Sequence, residues 1–224
     1  MRHRRTARAA APLMALVLLC TAAAEDSDWE LRKERDGIAV WTRKVPGSGS
    51  LEFRAVTEIE ATMSSMLALM EDVDSYTRIF PSVKEAKLVG TIGSRDPVLY
   101  QRIDVPPPAK DRDTVVRVSF ERNGKTGAVT LRMTSLWDYL PERNNIVRVR
   151  HVTGYWEFVP NGKRGTLRVT YRLHNDPGGK LPPWLVNMAV VKRPFNVLRN
   201  LKKIVRKPAY RDARPENLRL FKIP

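Results

Sequence analysis

The sequence predicts an α+β fold in which an antiparallel sheet packs against one long C-terminal helix. Between residues 83 and 174, β-branched runs alternate with turn residues at intervals of about ten to fifteen positions, which is typical of an antiparallel meander rather than of βαβ units. Residues 181–205 instead carry apolar side chains at helical spacings. A chain of 224 residues that is 42% hydrophobic and 29% charged suits one globular domain with its own core.

Residues 1–24 have the pattern of an export signal. Basic residues come first, followed by a short apolar run and then small residues: Arg2, Arg4, Arg5 and Arg8, residues 11–20, and Thr21, Ala22, Ala23 and Ala24. This order predicts cleavage after Ala24, and the apolar run is too short to cross a bilayer. A retained amphipathic arm is one alternative. A lipoprotein signal that uses Cys20 is another, although Leu19 stands where such a signal needs a small residue.

Removal of this signal would leave 36 basic residues against 24 acidic ones, a net charge of +12, and no cysteine. A domain without cysteine has neither a disulfide framework nor a thiolate nucleophile. The sequence therefore predicts an exported, periplasmic protein, or a secreted one if the source has no outer membrane. Its basic excess favours an acidic partner surface.

The first part of the remaining chain mixes strand and helix patterns. Strict alternation indicates a strand, whereas apolar residues three and four apart behind a hydroxyl residue indicate a capped helix. The predicted elements, in chain order, are a short helix or a strand over 29–45, a strand over 51–59, a helix over 62–70 capped by Thr62 or Ser64, and a short helix over 72–80.

Four or five further strands are expected between Val83 and His174, and their alternation sorts the side chains onto two faces. The first face is apolar and is expected to face the helix: Leu99, Gln101, Ile103, Thr114, Val116, Val118, Phe120, Val129, Leu131, Met133, Val147, Val149, His151, Leu167, Val169, Tyr171 and Leu173. The second face is charged and is expected to face solvent: Arg102, Asp104, Arg117, Glu121, Arg132, Arg148, Arg150, Arg168 and Arg172.

The long helix is predicted within residues 181–205, beginning at Trp184 after two prolines and kinked at Pro194. Its apolar stripe consists of Trp184, Leu185, Met188, Val191, Phe195, Leu198 and Leu201.

Three segments, Asp111–Val115, Gly154–Pro160 and above all Asp176–Asn187, resemble the START (StAR-related lipid transfer) family, and the likeness extends over about residues 29–207. The resemblance implies a helix-grip fold, in which a curved antiparallel sheet wraps around the long C-terminal helix and leaves an internal apolar cavity for one lipid. The implied organisation is a signal peptide over 1–24, a START-like lipid-binding domain over 25–207 and a basic C-terminal tail over 208–224.

Periodicity alone fits a solid core as well as a cavity, and it is the resemblance that favours the cavity. The side chains expected to line it are Leu99, Gln101, Ile103, Val116, Val118, Phe120, Leu131, Met133, Val149, His151, Val169, Tyr171, Trp184, Met188, Val191 and Phe195. Some cholesterol-binding relatives carry an acid and an arginine inside the cavity, at positions that match Leu99 and Val118. The missing pair predicts a more apolar ligand or a different ligand orientation.

No catalytic residue, metal site or cofactor is predicted, because convergent histidine, cysteine or carboxylate groups are not evident. His151 and His174 do not have zinc-binding spacing and are interpreted as structural residues. Asp111 and Asp113, on either side of Arg112, are interpreted as turn-capping residues and a local ion pair.

The end of the chain concentrates positive charge, with eleven basic residues against two acidic ones from Lys192 onward. An anionic membrane surface is the expected partner, since an exported protein rarely meets nucleic acid and stacking aromatic residues are scarce here. A merely solvated face remains the alternative. The predicted membrane contacts are Arg199, Lys202, Lys203, Arg206 and Lys207.

The function predicted from these features is non-enzymatic. A monomeric protein would bind a lipid in its cavity and transfer or present it between membranes of the cell envelope. Two alternatives stay open: an enzyme acting on a cavity-bound polycyclic substrate, and a module whose protein partners respond to lipid occupancy.

The export signal leads to a first testable prediction. The mature protein should begin at or near Glu25 and should be found in the envelope fraction, because the preceding residues have the order of a cleaved signal. N-terminal sequencing of fractionated cells measures this. Soluble cytoplasmic protein that retains Met1 would contradict it.

Overall fold

A single sheet forms the frame of the fold in the computed structural model, which describes residues 28–93, 95–162, 165–178, 181–182, 184–185 and 188–222. The strands are β1 (Glu30–Arg35), β2 (Ile38–Lys44), β3 (Leu51–Glu60), β4 (Val83–Ile92), β5 (Asp96–Ile103), β6 (Asp111–Arg122), β7 (Val129–Ser135), β8 (Ile146–Arg148), β9 (His151–Pro160) and β10 (Thr166–Asp176). They follow the order β1-β2-β3-β10-β9-β7-β6-β5-β4, and only β8 pairs in parallel, with β6, among these strands. The α+β prediction is confirmed.

The N-terminal hairpin resolves the ambiguity over residues 29–45. β1 and β2 pair antiparallel across a two-residue turn in which Asp36 and Gly37 both have positive φ, of 55° and 67°. Two positive φ values in a two-residue turn are the mark of a type I′ hairpin, whose twist suits the adjoining strands. The segment is therefore strand rather than helix.

The described residues between Val83 and Asp176 form seven strands, more than the four or five predicted. β8 is only three residues long, so it is too short to show an alternating pattern. The prediction that the second face of the sheet meets solvent is also incomplete. On that face Val98, Tyr100 and Val115 form a second buried cluster, covered in part by Leu136 and Leu140.

The helices after β3 confirm the predicted pair. α1 (Met63–Glu71) begins behind Thr62, whose side-chain oxygen accepts a hydrogen bond from the Ser65 amide at 3.1 Å. A 3₁₀ turn over Val73–Ser75 and a short α2 (Tyr76–Ile79) follow. The 3₁₀ turn and α2 contact β4, at one edge of the sheet.

In the C-terminal helix, residues 184–185 are helical, and a π-helical segment over Met188–Lys192 continues into α3 (Arg193–Ile204). Pro194 is the second residue of α3, directly after the π-helical segment, and it has no amide proton to donate to the preceding turn. The irregularity expected at Pro194 therefore occurs just before it, as a wider turn. α3 packs against β2 and β3, and no helix in the described part of the chain is long and apolar enough to span a bilayer.

The residues beyond 207 pack onto the domain instead of forming a separate tail. A short α4 (Pro208–Arg211) and a 3₁₀ turn over Pro215–Asn217 follow α3, and Tyr210, Leu218 and Phe221 are buried. The Tyr210 hydroxyl donates to Asp72 at 2.5 Å. Glu71 accepts the amides of Leu220 and Phe221 at 2.8 and 2.6 Å. The basic charge of this segment is therefore carried on an ordered surface.

A buried ion pair joins β6 to β8. Arg148 donates from Nε and Nη2 to the two carboxylate oxygens of Asp113 at 2.7 and 3.1 Å, and both side chains are 1% exposed. The guanidinium also donates to the carbonyl oxygens of Trp137, Leu140 and Pro141. The prediction that Arg148 faces solvent is wrong, because the parallel pairing of β8 sets Arg148 opposite Asp113.

The same contacts correct the expected local ion pair around Arg112. Asp113 pairs with Arg148, which is 35 positions away, while Asp111 pairs with Arg102 at 2.7 Å and accepts the Val105 amide at 3.3 Å. The capping role expected of Asp111 is thus observed. Arg112 itself bonds to neither carboxylate.

Loss of the buried carboxylate should destabilise the fold. We expect Asp113→Asn to lower the free energy of unfolding by about 3–5 kcal/mol, because it leaves the Arg148 charge buried without a counter-ion. Urea denaturation measures the change. Glu121→Gln is the matched control, since its pair with Arg132 is about half exposed and should contribute less than about 1 kcal/mol. Equal effects of the two variants would contradict the prediction.

Candidate functional site

Three adjoining cavities lie on the inner face of the sheet, two of them between the sheet and the C-terminal helix and the third beneath α1, α2 and the C-terminal segment. The central chamber, of about 120 Å³, separates Gln101 and Thr114 on the sheet from Val190 and Val197 on the helix. The arginine chamber, of about 50 Å³, is lined by Arg112 and Arg193. The aromatic chamber, of about 40 Å³, is lined by Trp156, Tyr171 and Phe221.

The chambers share walls and so form a continuous row. Ile103 and Val190 line both the central and the arginine chamber. Gln101 and Tyr171 line both the central and the aromatic chamber. The row therefore runs from the start of the helix to the middle of the sheet, and its walls are mainly apolar.

Stacked rings build the aromatic chamber. The rings of Trp156 and Tyr171, on neighbouring strands, stack with centroids 3.9 Å apart and planes 4° apart. Phe53 meets Tyr171 edge-on at 5.0 Å. Phe221, from the C-terminal segment, stacks on Phe120 at 6.0 Å. These ring contacts form the wall of the aromatic chamber, at the end of the row opposite the arginine chamber.

Close packing of β9 and β10 supports this wall. A Cβ atom at Gly154 would lie 2.3 Å from the carbonyl oxygen of Arg172 on the opposite strand. Real Cβ atoms do not approach a carbonyl oxygen so closely, so only glycine fits at this position. The glycine of the Gly154–Pro160 motif thus keeps Trp156 and Tyr171 in stacking distance.

The structure divides the residues expected to line the cavity into three groups. Those on the walls of a chamber are Leu99, Gln101, Ile103, Val116, Val118, Leu131, Met133, Val149 and Tyr171. Those buried or half-buried outside the walls are Phe120, Val169, Met188, Val191 and Phe195. Two are exposed and do not face the cavity, namely His151 and Trp184. Contact of any of them with a ligand remains a prediction.

The placement of His151 was wrong because the alternation shifts by one residue between β8 and β9. Val149 lies in this break and donates its amide to the Asp113 carbonyl oxygen at 2.9 Å. After the break, Val152 faces the central chamber and His151 faces outward. A one-residue shift moves every following side chain to the opposite face.

The helix meets the chambers with a different face from the predicted stripe. The wall is formed by Leu185, Ala189, Val190, Arg193, Pro194 and Val197. Phe195 is buried on the side of β1, where Lys33 Nζ lies 3.8 Å from its ring centroid. Trp184 is 53% exposed, so the prediction that it lines the cavity is wrong. The helix therefore packs into the core with one face and lines the cavity with the adjacent face.

Sequence reasoning missed the charged groups of the cavity. Arg112 is 6% exposed and donates to the carbonyl oxygens of Pro177 and Gly178 at 3.3 and 3.1 Å, and to that of Lys110 at 2.5 Å. Burial lowers the pKa of the Arg112 guanidinium. Arg112 lies two residues before Thr114 and four before Val116 in β6, so side-chain alternation could have assigned it to the same inner face.

Arg193 is the second missed cation. It lines the central and arginine chambers and donates to the Asp104 carbonyl oxygen at 3.2 Å. Burial lowers the pKa of Arg193, the Asp104 carboxylate partly opposes this, and the positive charge of Arg112 lowers the pKa further. Burial raises the pKa of the Tyr171 hydroxyl, so this phenol stays neutral. The titratable groups of the described walls are therefore two guanidinium groups and neutral phenols.

Two wider grooves lie open on the surface. One, of about 730 Å³, separates α1 from the C-terminal segment and includes Glu71 and Asp72. The other, of about 680 Å³, contains His151 and His174, and His174 Nε2 lies 2.9 Å from Ser48 Oγ. Across the described ranges, no cluster of three histidine, cysteine or carboxylate side chains could hold a metal ion. The enclosed row of chambers is the stronger candidate for a site.

The predicted membrane contacts lie along the C-terminal helix and just after it. Arg199, Lys203, Arg206 and Lys207 are exposed, and Lys202 is half-buried. Arg206 pairs with Glu60 at 3.0 Å, and Lys202 donates to the Asp36 carbonyl oxygen at 3.2 Å. The side chains of Arg199, Lys203 and Lys207 carry the charge that is most available to a partner.

Comparison with known proteins gives consistent results. The START domain family model matches residues 14–211. An uncharacterized protein of Pseudomonas aeruginosa is 36% identical over 180 residues, which cover 80% of this chain and 88% of that protein. Phosphatidylcholine transfer protein of Rattus norvegicus is 28% identical over 167 residues, which cover 73% of this chain and 77% of that protein. Among solved structures, the STAR-related lipid transfer protein from Xanthomonas axonopodis is 33% identical in sequence and superposes with a TM-score of 0.72. The match covers 80% of this chain and 99% of that chain.

Proposed function

Because the chain belongs to the START domain family, we propose that it binds a membrane lipid between the sheet and the C-terminal helix and transfers it between membranes of the cell envelope. The observation that carries this proposal is the row of chambers, which has the inner face of the sheet on one side. On the other side the C-terminal helix covers the central and arginine chambers, and α1, α2 and Phe221 cover the aromatic chamber. Burial of an acyl chain there contributes about 0.8 kcal/mol for each CH₂ group removed from water. The names of the relatives, which are lipid transfer proteins, support the same class of ligand.

Uptake of a lipid requires the helix to move. Ligand cavities in proteins are commonly about 300–1,000 Å³, whereas the central chamber has about 120 Å³. The π-helical segment Met188–Lys192 contains Ala189 and Val190, which line two of the chambers. A π turn is a less regular hydrogen-bonding arrangement than an α-helix and is frequent at functional sites. In the proposed mechanism this segment separates from the sheet, and the three chambers merge around the lipid.

The outward side of the same helix is the proposed membrane contact. Trp184 is 53% exposed, while its neighbour Leu185 is buried in the wall of the arginine chamber. Tryptophan is favoured at the boundary between headgroups and acyl chains. Arg199 and Lys203 are exposed further along the helix, where basic side chains gain about 1 kcal/mol each near anionic headgroups. This arrangement would set the start of the helix beside the membrane at the arginine chamber.

An enzymatic role is less well supported. Acid–base catalysis needs ionisable groups that can exchange a proton near neutral pH. The described chamber walls carry arginines and buried phenols, and His151 and His174 lie in a separate open groove. The proposal therefore assigns binding and transfer rather than chemistry.

The location in the cell envelope depends on residues 1–24. These lie outside the described residues, so the signal peptide remains a prediction from sequence. The order of basic, apolar and small residues supports export.

Filling the chambers should abolish lipid uptake. Ala189 lies in the walls of the central and arginine chambers, so Ala189→Trp places an indole where an acyl chain would bind. We expect extraction of lipid from vesicles to fall at least about tenfold while the melting temperature changes by less than about 3 °C. Ala209→Trp, at an exposed position in α4, is the control for an added indole. Unchanged extraction would count against the chamber as the binding site. If the chambers are instead a solid core, the wild-type protein extracts no lipid and Ala189→Trp lowers stability by about 1–3 kcal/mol.

Neutralising the outer face should weaken membrane binding. We expect the triple variant Arg199→Gln, Lys203→Gln, Lys207→Gln to lose about 2–3 kcal/mol of binding free energy for anionic vesicles at low salt. The difference should shrink at high salt, where screening is stronger. Vesicle co-sedimentation measures it. The control of equal charge replaces Arg35, Lys125 and Arg132, which are exposed elsewhere on the domain. Equal losses in both variants would show that net charge, and not this face, directs binding.

A further inference from the structure

We propose that Arg112 and Arg193 bind the anionic part of a lipid headgroup in the arginine chamber, so that the protein selects lipids of net negative charge over choline lipids. This inference rests on the proposed lipid-binding function and specifies its ligand. It is carried by two buried or half-buried guanidinium groups that share one chamber wall.

Arg112 has hydrogen-bonding capacity to spare. A guanidinium has five N–H donors. Three hydrogen bonds to carbonyl oxygens, those of Lys110, Pro177 and Gly178, account for one donor on each nitrogen. Carbonyl groups orient the guanidinium but leave its full positive charge uncompensated, and a buried charge without a counter-ion is unfavourable. The side chain is therefore held in a fixed orientation and lacks an anion.

The fold brings Arg193 to the same place. Arg112 stands opposite Ile103 in the β5–β6 pair, and Arg193 donates to the carbonyl oxygen of the next residue, Asp104. Arg193 is the first residue of α3, directly after the π-helical segment. Each guanidinium depends on a different layer for its position, one on the sheet and one on the helix. An anion bound between them would link the helix to the sheet.

The nearby carboxylates are engaged elsewhere. Asp104 pairs with Lys84 at 2.6 Å, Asp111 with Arg102 at 2.7 Å and Asp113 with Arg148 at 2.7 Å. Asp176 accepts the Gly178 amide at 3.0 Å. Among the described residues, neither Arg112 nor Arg193 forms an ion pair with a carboxylate. The described walls of the arginine chamber consequently carry two positive charges and no carboxylate, and the Asp104 carboxylate outside these walls acts on Arg193 without pairing with it.

The chamber also lacks groups that recognise a quaternary ammonium. Choline is typically held by aromatic faces or by carboxylates. In the described wall, the polar or charged side chains beside the arginines are Ser50 and Asn175, and the remainder are aliphatic. A phosphate or carboxylate oxygen, by contrast, fits the planar donor fork of arginine. The geometry thus favours an anionic lipid, with its acyl chains extending into the central and aromatic chambers.

The lipid bound from a mixed membrane tests this inference. The full chain is incubated with vesicles of equal amounts of phosphatidylglycerol and phosphatidylcholine, re-isolated in high salt to remove surface-bound vesicles, and its lipid is identified by mass spectrometry. We expect phosphatidylglycerol to be enriched about tenfold, because charge-assisted hydrogen bonds to two arginines are of that order. Arg193→Gln should reduce the enrichment to near unity, whereas the control Arg35→Gln, at an exposed position, should retain it. Arg193→Lys should retain part of it, since the charge remains and the fork is lost.

Arg112→Gln is a second variant, interpreted only if its melting curve stays cooperative, because Arg112 also bonds to three carbonyl groups.

In a separate arm, inorganic phosphate is added to the wild type and to Arg193→Gln, and the melting temperature of each protein is measured. Stabilisation by phosphate that depends on Arg193, together with no lipid bound by the wild type, would identify a site for a free anion and overturn the lipid assignment. Extraction of both lipids in donor proportions, or enrichment that survives Arg193→Gln, would overturn this inference alone. Failure to extract any lipid, with no effect of phosphate, would overturn the proposed function.

Discussion

The ion pair between Asp113 and Arg148 is the interaction on which the arrangement of the site depends. It holds β8 against β6 and, through the carbonyl groups that Arg148 also binds, fixes the chain from Trp137 to Pro141 over the outer face of the sheet. Because side chains alternate along a strand, pairing of Asp113 on the outer face turns Arg112 toward the chambers. The same short strand ends at the break that turns Val152 inward. One buried pair on the back of the sheet thus determines which side chains reach the front.

Alternation and helical spacing were sufficient to predict the sheet, the capped helix α1 and the terminal helix, because each depends on neighbours in sequence. They were insufficient wherever a contact from a distant part of the chain changes the local pattern. The parallel pairing of β8 has no signature in three residues, so Arg148 was assigned to solvent and His151 to the cavity. The helix was correctly predicted to be amphipathic, yet its packing against β2 decides that Phe195 meets the core while Ala189 and Val190 meet the chambers. Phe221 gave no periodic signal at all, since an isolated aromatic residue after a proline-containing segment shows no repeat.

The two faces of the C-terminal helix have opposite requirements. Phe195, Leu198 and Leu201 are almost fully buried, which anchors α3 to the sheet. In the π-helical segment before it, Met188, Ala189 and Val191 are only half-buried, so its movement would expose less new apolar surface. A helix built in this way can keep its second half in place while its first half moves, because the cost of separating surfaces scales with the apolar area exposed. Because Arg193 lies at the junction of the two halves, the proposed headgroup site would take part in this movement.

The aromatic chamber ends at Phe221, and this closure has a consequence for length. Glu71 accepts the amides of Leu220 and Phe221, and Asp72 accepts the Tyr210 hydroxyl, so these two carboxylates hold the segment that carries Phe221. The far wall is therefore supplied by a segment separate in the chain from both the sheet and the gripping helix. In the proposed binding mode such a wall would limit the length of the acyl chain, because the distance between it and the two arginines would determine how many carbons fit. Substitutions in the C-terminal segment would then change the preferred chain length without contacting the two arginines proposed to bind the headgroup.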